Sequence, residues 1–308
     1  MEYLDLRKVG LMNTFSSIKR QKIIWGTILV APTLIYVLIM NVWPMIQTIY
    51  FSFNSIRGLG IPRWIGLANY QRALTDTELL QSIWNTFLYT LVTVPIGTAL
   101  SLITAVFLNA NIRFKSGFRL LFFIPVVSAP AAVAMVWRWL YNSEFGLFNY
   151  LLSIFGIDGP NWIGDNNFVL ISIMIVGIWS TLGYNMIILL GGLQDIPHIY
   201  YEAAEMDGSG PIRKFFHITI PMLSPTLFFV ITTSFLGALQ IFDLIFMMVD
   251  KTNPALKSAE SIVYLFYRQT FESNNKGYGA AIAVILLILI FIGTAIQMRL
   301  QKKWVHYK

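Results

Sequence analysis

Six long stretches of this chain contain no formal charge, and that spacing leaves a polypeptide few folds to choose from. They run between Lys22 and Arg57, Glu78 and Arg113, Arg119 and Arg138, Asp165 and Asp195, Lys214 and Asp243, and Lys276 and Arg299. A bilayer core about 30 Å thick needs roughly 20 apolar residues at about 1.5 Å each. Inside lipid, each helix must satisfy its own backbone amides. Each stretch therefore predicts one helix, and the expected fold is an all-α integral membrane protein with six transmembrane helices. The first two stretches exceed one crossing, which allows tilt or an interfacial end, and Pro44 with Trp43, Tyr50, Phe51 and Phe53 suits such an end. Pro95 with Gly97, and Pro125 with Pro130, are expected kink points.

The remaining charges orient the chain. Basic residues gather before the first stretch (Arg7, Lys8, Lys19, Arg20, Lys22), at Arg113, Lys115 and Arg119, at Arg213 and Lys214, and in the tail at Arg299, Lys302, Lys303 and Lys308. By the positive-inside rule these connections and both termini are expected in the cytoplasm. The opposite connections fall near 54–82, 141–167 and 250–276, and the second carries Glu144, Asp158 and Asp165 with no Lys or Arg. The net charge of +7 is thus topological and implies no nucleic-acid partner.

Residues 1–22 read as a cytoplasmic leader and 23–308 as a single transmembrane domain, with no long linker or fixed-period repeat to divide it. The apolar block after Lys22 is too long for a signal-peptide core, so it reads as an uncleaved first helix. Leu4, Leu6, Val9, Leu11, Phe15 and Ile18 suit an amphipathic helix on the inner leaflet, and a disordered basic leader is the alternative. The chain has no Cys, and His198, His217 and His306 are too scattered for a metal cluster.

The 195–221 connection stands apart because Asp195, Glu202, Glu205, Asp207, Arg213 and Lys214 crowd into it. It predicts helix, turn, helix. Pro197 can start the first helix, Ala203 and Ala204 favour it with little bulk, Gly208 and Gly210 break it, and Pro211 suits the next first turn. The small face can approach another protein closely.

The spacing of Glu202-Ala203-Ala204, then Gly208, then Ile218 and Pro221 resembles the EAA loop of membrane subunits of binding-protein-dependent ABC importers. Only Ile220, where Leu is usual, departs from it. Asp207-Gly208 and the preceding Leu193-Gln194-Asp195-Ile196-Pro197 resemble the carbohydrate branch, which includes maltose and glycerol-phosphate permeases. The resemblance is strongest over 82–297. It implies the type I importer transmembrane fold and a coupling loop, 195–221, that docks on an ATP-hydrolysing subunit. Ala203 and Ala204 then allow close approach, Glu202 meets a basic group, and Gly208 makes the turn, with Asp207, Arg213, Ile218 and Pro221 completing the loop.

It further implies two ATPase copies that carry ATP and Mg, a second permease subunit that is a paralogue, an extracytoplasmic binding protein and a sugar or polyol substrate. The expected location is the cytoplasmic membrane of a bacterium or archaeon. No Gly-x-x-x-x-Gly-Lys-Ser/Thr sequence occurs in the chain, so no nucleotide cofactor is expected on it.

Formal charges inside spans default to functional candidates. Asp243, within Gln240-Ile241-Phe242-Asp243, resembles a segment toward the outer half of the fifth helix of sugar permeases. A carboxylate, an amide and a ring can bind a sugar through its hydroxyls and its apolar face. Alternatively, Asp243 bonds across helices or reaches the outer interface. In the fourth stretch Trp179, Tyr184 and Asn185 can line a path, or pack helices around Gly183 with Asn185 bonded across an interface. Gly191-Gly192 is expected at the inner helix end, and Arg138 is expected to snorkel outward. Relatives often carry a Thr-Gly-Gly-Gly-Pro-like turn where this chain reads Val249-Asp250-Lys251-Thr252-Asn253-Pro254.

Two other classes make different demands. A membrane enzyme needs positioned nucleophiles, bases or metal ligands, and no such set is legible. A secondary carrier without an ATPase partner would be expected to show inverted repeats and ion-coupling charges near the midplane.

Overall fold

A computed structural model describes residues 5–58, 60–110 and 113–306, with side chains from Gln21 onward. Leu4 lies outside the described residues, as do the side chains of the other leader positions considered above. The first element, α1 (Asp5–Val37), continues through one π turn at Leu38–Val42 into α2 (Trp43–Ser52). A short antiparallel hairpin, β1 (Asn54–Ser55) with β2 (Arg63–Trp64), leads to α3 (Ala68–Thr75) and α4 (Thr77–Asn109). Asp76 starts α4 by capping it: its Oδ1 accepts the amides of Glu78 and Leu79 at 3.0 and 3.3 Å. The helix then runs unbroken across Pro95.

Next come α5 (Lys115–Val127), α6 (Pro130–Leu140), α7 (Leu147–Ile154) and α8 (Val169–Gln194). A short pair, α9 (Ile199–Met206) and α10 (Pro211–Lys214), precedes α11 (Ile220–Leu239). Three short helices, α12 (Asp243–Met248), α13 (Leu256–Ala259) and α14 (Ile262–Tyr267), lead to the last, α15 (Lys276–Trp304).

Among the described residues, five helices are long and apolar enough to cross a membrane, or six if α5 and α6 count as one broken span. That pair differs from the single helix expected between Arg119 and Arg138. The two halves meet at 101°. The residue before a proline avoids the helical region, so Ala129, held extended ahead of Pro130, ends one helix and lets Pro130 begin the next. The fifth stretch breaks as well: α11 stops at Leu239, and Asp243 opens a separate helix instead of continuing the same one. The fourth runs past Gly191 and Gly192 to Gln194, because Gly192 makes room for Thr226 of α11 and does not end the helix.

The bundle is built around α4 and α8. Ser101 of α4 donates to the Gly97 and Leu182 carbonyls at 2.7 and 3.2 Å, tying the two helices at mid-length. A Cβ on Gly183 would run into the Phe122 carbonyl, so this glycine lets the α5 backbone pack directly on α8. One apolar cluster, with Leu108, Met186, Leu189 and Leu223, joins α4, α8 and α11. Another, with Trp137, Ile173, Ile245 and Met248, joins α6, α8 and α12. In lipid the hydrophobic effect does not drive helices together, so fit and interhelical bonds decide which faces meet.

Where α4 meets α14, a third apolar cluster, with Leu79, Ile262 and Leu265, lies beside a set of ion pairs. Arg268 forks onto Glu260, with both bonds at 2.9 Å, and also reaches Glu78 at 2.9 Å, while Lys257 meets Glu78 at 3.1 Å. Burial pushes the Glu260 carboxyl above the ordinary range against the pull of Arg268. Arg138 is exposed and bonds Asp250 at 2.8 Å.

Candidate coupling loop and translocation path

The 195–221 segment folds as helix, turn, helix. At the end of α9, Ser209 N–H donates to the Ala204 carbonyl and Gly208 N–H to that of Glu205, each at 2.9 Å. This paired closure needs a left-handed residue, and Gly208 supplies it at φ 73°. Gly210 has φ −71°, so the turn does not depend on it for backbone freedom. Pro211 opens α10, and one π turn at Phe215–Thr219 joins it to α11, where Pro221 lies in the first turn.

Two contacts stiffen this arm. Lys214 Nζ bonds Glu205 Oε1 at 2.7 Å, and the Tyr201 and Thr219 hydroxyls meet at 2.9 Å. Lys214 holds the Glu205 carboxyl below its ordinary range. Glu202 is exposed and its carboxylate makes no hydrogen bond or ion pair among the described residues; Ala203, Asp207 and Arg213 are exposed beside it. Met206 is 89% exposed and Ile212 75%, so the arm presents apolar side chains outward. Ile218 is half-buried at its base.

Two hollows lie side by side among α4, α8, α11 and α12, with volumes of about 260 and 390 Å³. They share Ser180, Thr181, Tyr184, Gly237 and Ile241. The larger is walled by both helix breaks, with Ser128 and Pro130 from one and Gln240, Phe242 and Asp243 from the other. Irregular backbone at membrane depth is tolerated where it lines such a space. The breaks and the cavity are thus one feature.

Of the path residues expected from sequence, Tyr184, Gln240, Phe242 and Asp243 come together at the larger hollow. The Asp243 carboxylate makes no hydrogen bond or ion pair among the described residues and stands exposed on the wall. Asn185 lines the smaller hollow while donating to Ser234 Oγ at 3.0 Å across α8 and α11, as the packing reading expects. Trp179 is not brought to either hollow; its ring meets Trp137 edge-on at 5.4 Å. Ser180 was missed, and its neighbour Thr181, legible in the sequence as a polar residue breaking the apolar run, lines both hollows as well. Ser180 Oγ is buried without a hydrogen-bond partner among the described residues and lines both hollows. The only sequence signal was a polar pair amid an apolar run.

Residues 78–306 match the family of binding-protein-dependent transport system inner membrane components. The chain belongs to this family. The permease is 31% identical over 272 residues to the arabinooligosaccharides transport system permease protein AraP of Bacillus subtilis, covering 88% of this chain and 86% of that one. It is 32% identical over 283 residues to the sn-glycerol-3-phosphate transport system permease protein UgpA of Agrobacterium fabrum, covering 91% and 95%. Its fold matches a chain of the bacterial alginate ABC transporter crystallised with alginate pentasaccharide-bound periplasmic protein. The TM-score is 0.82 at 18% identity, over 94% of this permease and 97% of that chain. Family and apolar helices together make the permease a multi-pass protein of the cell membrane.

Proposed function

We propose that this permease forms one half of the pore of an ATP-driven importer for a sugar or polyol, handed over by an extracytoplasmic binding protein. In this reading the chain crosses six times, the bent pair counted as one, with both termini and the 195–221 arm in the cytoplasm of a bacterium or archaeon, a side supported by the Lys and Arg in those segments. Two ATPase subunits carry the ATP and Mg and dock on that arm, and a paralogous permease supplies the other half of the pore.

The arm is the observation that carries this reading. A short helix locked by a glycine turn and an ion pair, with Met206 and Ile212 bare and Glu202 unpaired, is built to fit into a partner's groove. Apolar side chains exposed together on one short arm suit a contact with another surface. The span Gln21–Ser52 supports the second pore half: none of the residues in its most apolar window is buried within this chain. The named relatives support a sugar or polyol as the class of solute.

ATP can drive transport only if the docked ATPases favour one arrangement of the bundle over another. In a reconstituted complex, Glu202→Lys is expected to leave the permease inserted while abolishing ATPase co-purification and substrate-stimulated ATP hydrolysis. Unchanged uptake and co-purification would defeat the assignment.

A further inference from the structure

Three hollows of this permease carry charge of one sign. Among the described residues, Asp243 is the only formally charged side chain lining the two central ones. A third hollow of about 640 Å³, on the 141–167 connection, adds Glu144 and Asp158. No Lys, Arg or His lines any of the three. Between Arg138 and Arg213 the sequence contains no Lys or Arg at all.

The cations of the surrounding connections are largely engaged. Arg138 is on Asp250 at 2.8 Å, Lys251 on Glu272 at 2.5 Å, and Lys257 and Arg268 on Glu78 at 3.1 and 2.9 Å. Among the described residues Arg57, Arg63 and Lys276 have no ion pair, and they line none of these hollows.

An anion entering here would give up water beside an uncompensated carboxylate, losing solvation and gaining repulsion. A sugar hydroxyl instead donates to the exposed Asp243 carboxylate and accepts from the exposed Tyr184 hydroxyl. The names of the relatives leave the point open, since arabino-oligosaccharides are neutral and sn-glycerol-3-phosphate is an anion.

We propose that the transported solute is a neutral polyhydroxylated sugar bearing no phosphate, sulfonate or carboxylate, and that Asp243 is the group that rejects anions. This rests on the importer reading above and narrows its substrate class.

The test uses the complete importer in proteoliposomes with ATP at the nucleotide-binding face and the cognate binding protein at the other. Uptake is compared for arabinotriose and maltotriose against glycerol-3-phosphate and trigalacturonate. At least one neutral trisaccharide is expected to exceed both anions by roughly 10- to 100-fold, the range set by one repulsive charge in a partly desolvated site. Asp243→Asn is expected to shrink that ratio by about tenfold, and Asp243→Glu to restore it.

ATP-dependent preference for an anion, or failure of both neutral sugars, overturns the charge inference. A ratio that Asp243→Asn leaves unchanged overturns the role of Asp243. Uptake that proceeds equally with a non-hydrolysable ATP analogue overturns the importer reading itself, whichever solute is carried.

Discussion

Replacing Gly208 separates backbone strain from every other explanation of the turn after α9. The residue sits at φ 73°, and a Cβ built on it would meet nothing within 4 Å. A larger side chain therefore costs conformation alone. For an ordinary L-residue the left-handed region costs about 1–2 kcal/mol, less for Asn and more for a β-branched residue. Since every 1.4 kcal/mol is tenfold, Gly208→Ala should lower the population of the docking-competent arm about 5- to 30-fold. Gly208→Asn should be milder and Gly208→Val worse.

Gly210 is the internal control. It too has open space around it but lies at φ −71°, which any residue adopts, so Gly210→Ala should be nearly silent. Substrate-stimulated ATP hydrolysis and ATPase co-purification from membranes measure the docked fraction, while the amount of inserted permease reports folding. Equal effects of Gly208→Val and Gly208→Asn, or a Gly210→Ala defect as large as that of Gly208→Ala, would refute the strain argument.

Two further outcomes follow from the ion pairs. Because Lys214 holds the Glu205 carboxyl below 4.5, its ordinary value, the folded arm takes up that proton less readily than an opened one. The pair's contribution is complete above that value and fades as pH falls through the folded one, so exchange of the Gly208 and Ser209 amides, corrected for intrinsic rate, should rise only once the pH falls below 4.5. Arg268→Met strips the cation from the buried Glu260 carboxylate and should destabilise the permease by about 3–5 kcal/mol at pH 7.5 in detergent thermal unfolding. Burial already raises the Glu260 carboxyl, so protonation relieves the lone charge and the deficit should shrink at pH 5; an equal loss at both values would argue against it.

Much of the 195–221 arm was legible because its logic is local. Gly208 must turn left-handed for a reason fixed by its immediate neighbours, and Ala203, Ala204 and Pro211 act through propensities that need no distant contact. The hollow was legible only in part. Tyr184 and Asp243 drew notice as polar groups in apolar stretches, yet the same rule drew in Trp179, which packs on Trp137, and passed over Ser180, whose hydroxyl lacks a partner. Which face of α8 turns toward the cavity depends on the packing of α4, α5 and α11, and composition carries no trace of it.

By itself, the sequence determined that the chain must meet a bilayer, since stretches without charge and flanks rich in Lys and Arg act through transfer energies that each segment feels alone. It also marked Pro130 as a point where a helix weakens, whereas the break around Gln240 came to light only in the fold. Only the tertiary structure decided that these two breaks line one cavity with Asp243 unpaired on its wall, and that Arg138 is spent on Asp250. Residues more than a hundred positions apart meet there, and their meeting is set by how helices interlock rather than by any periodicity along the chain.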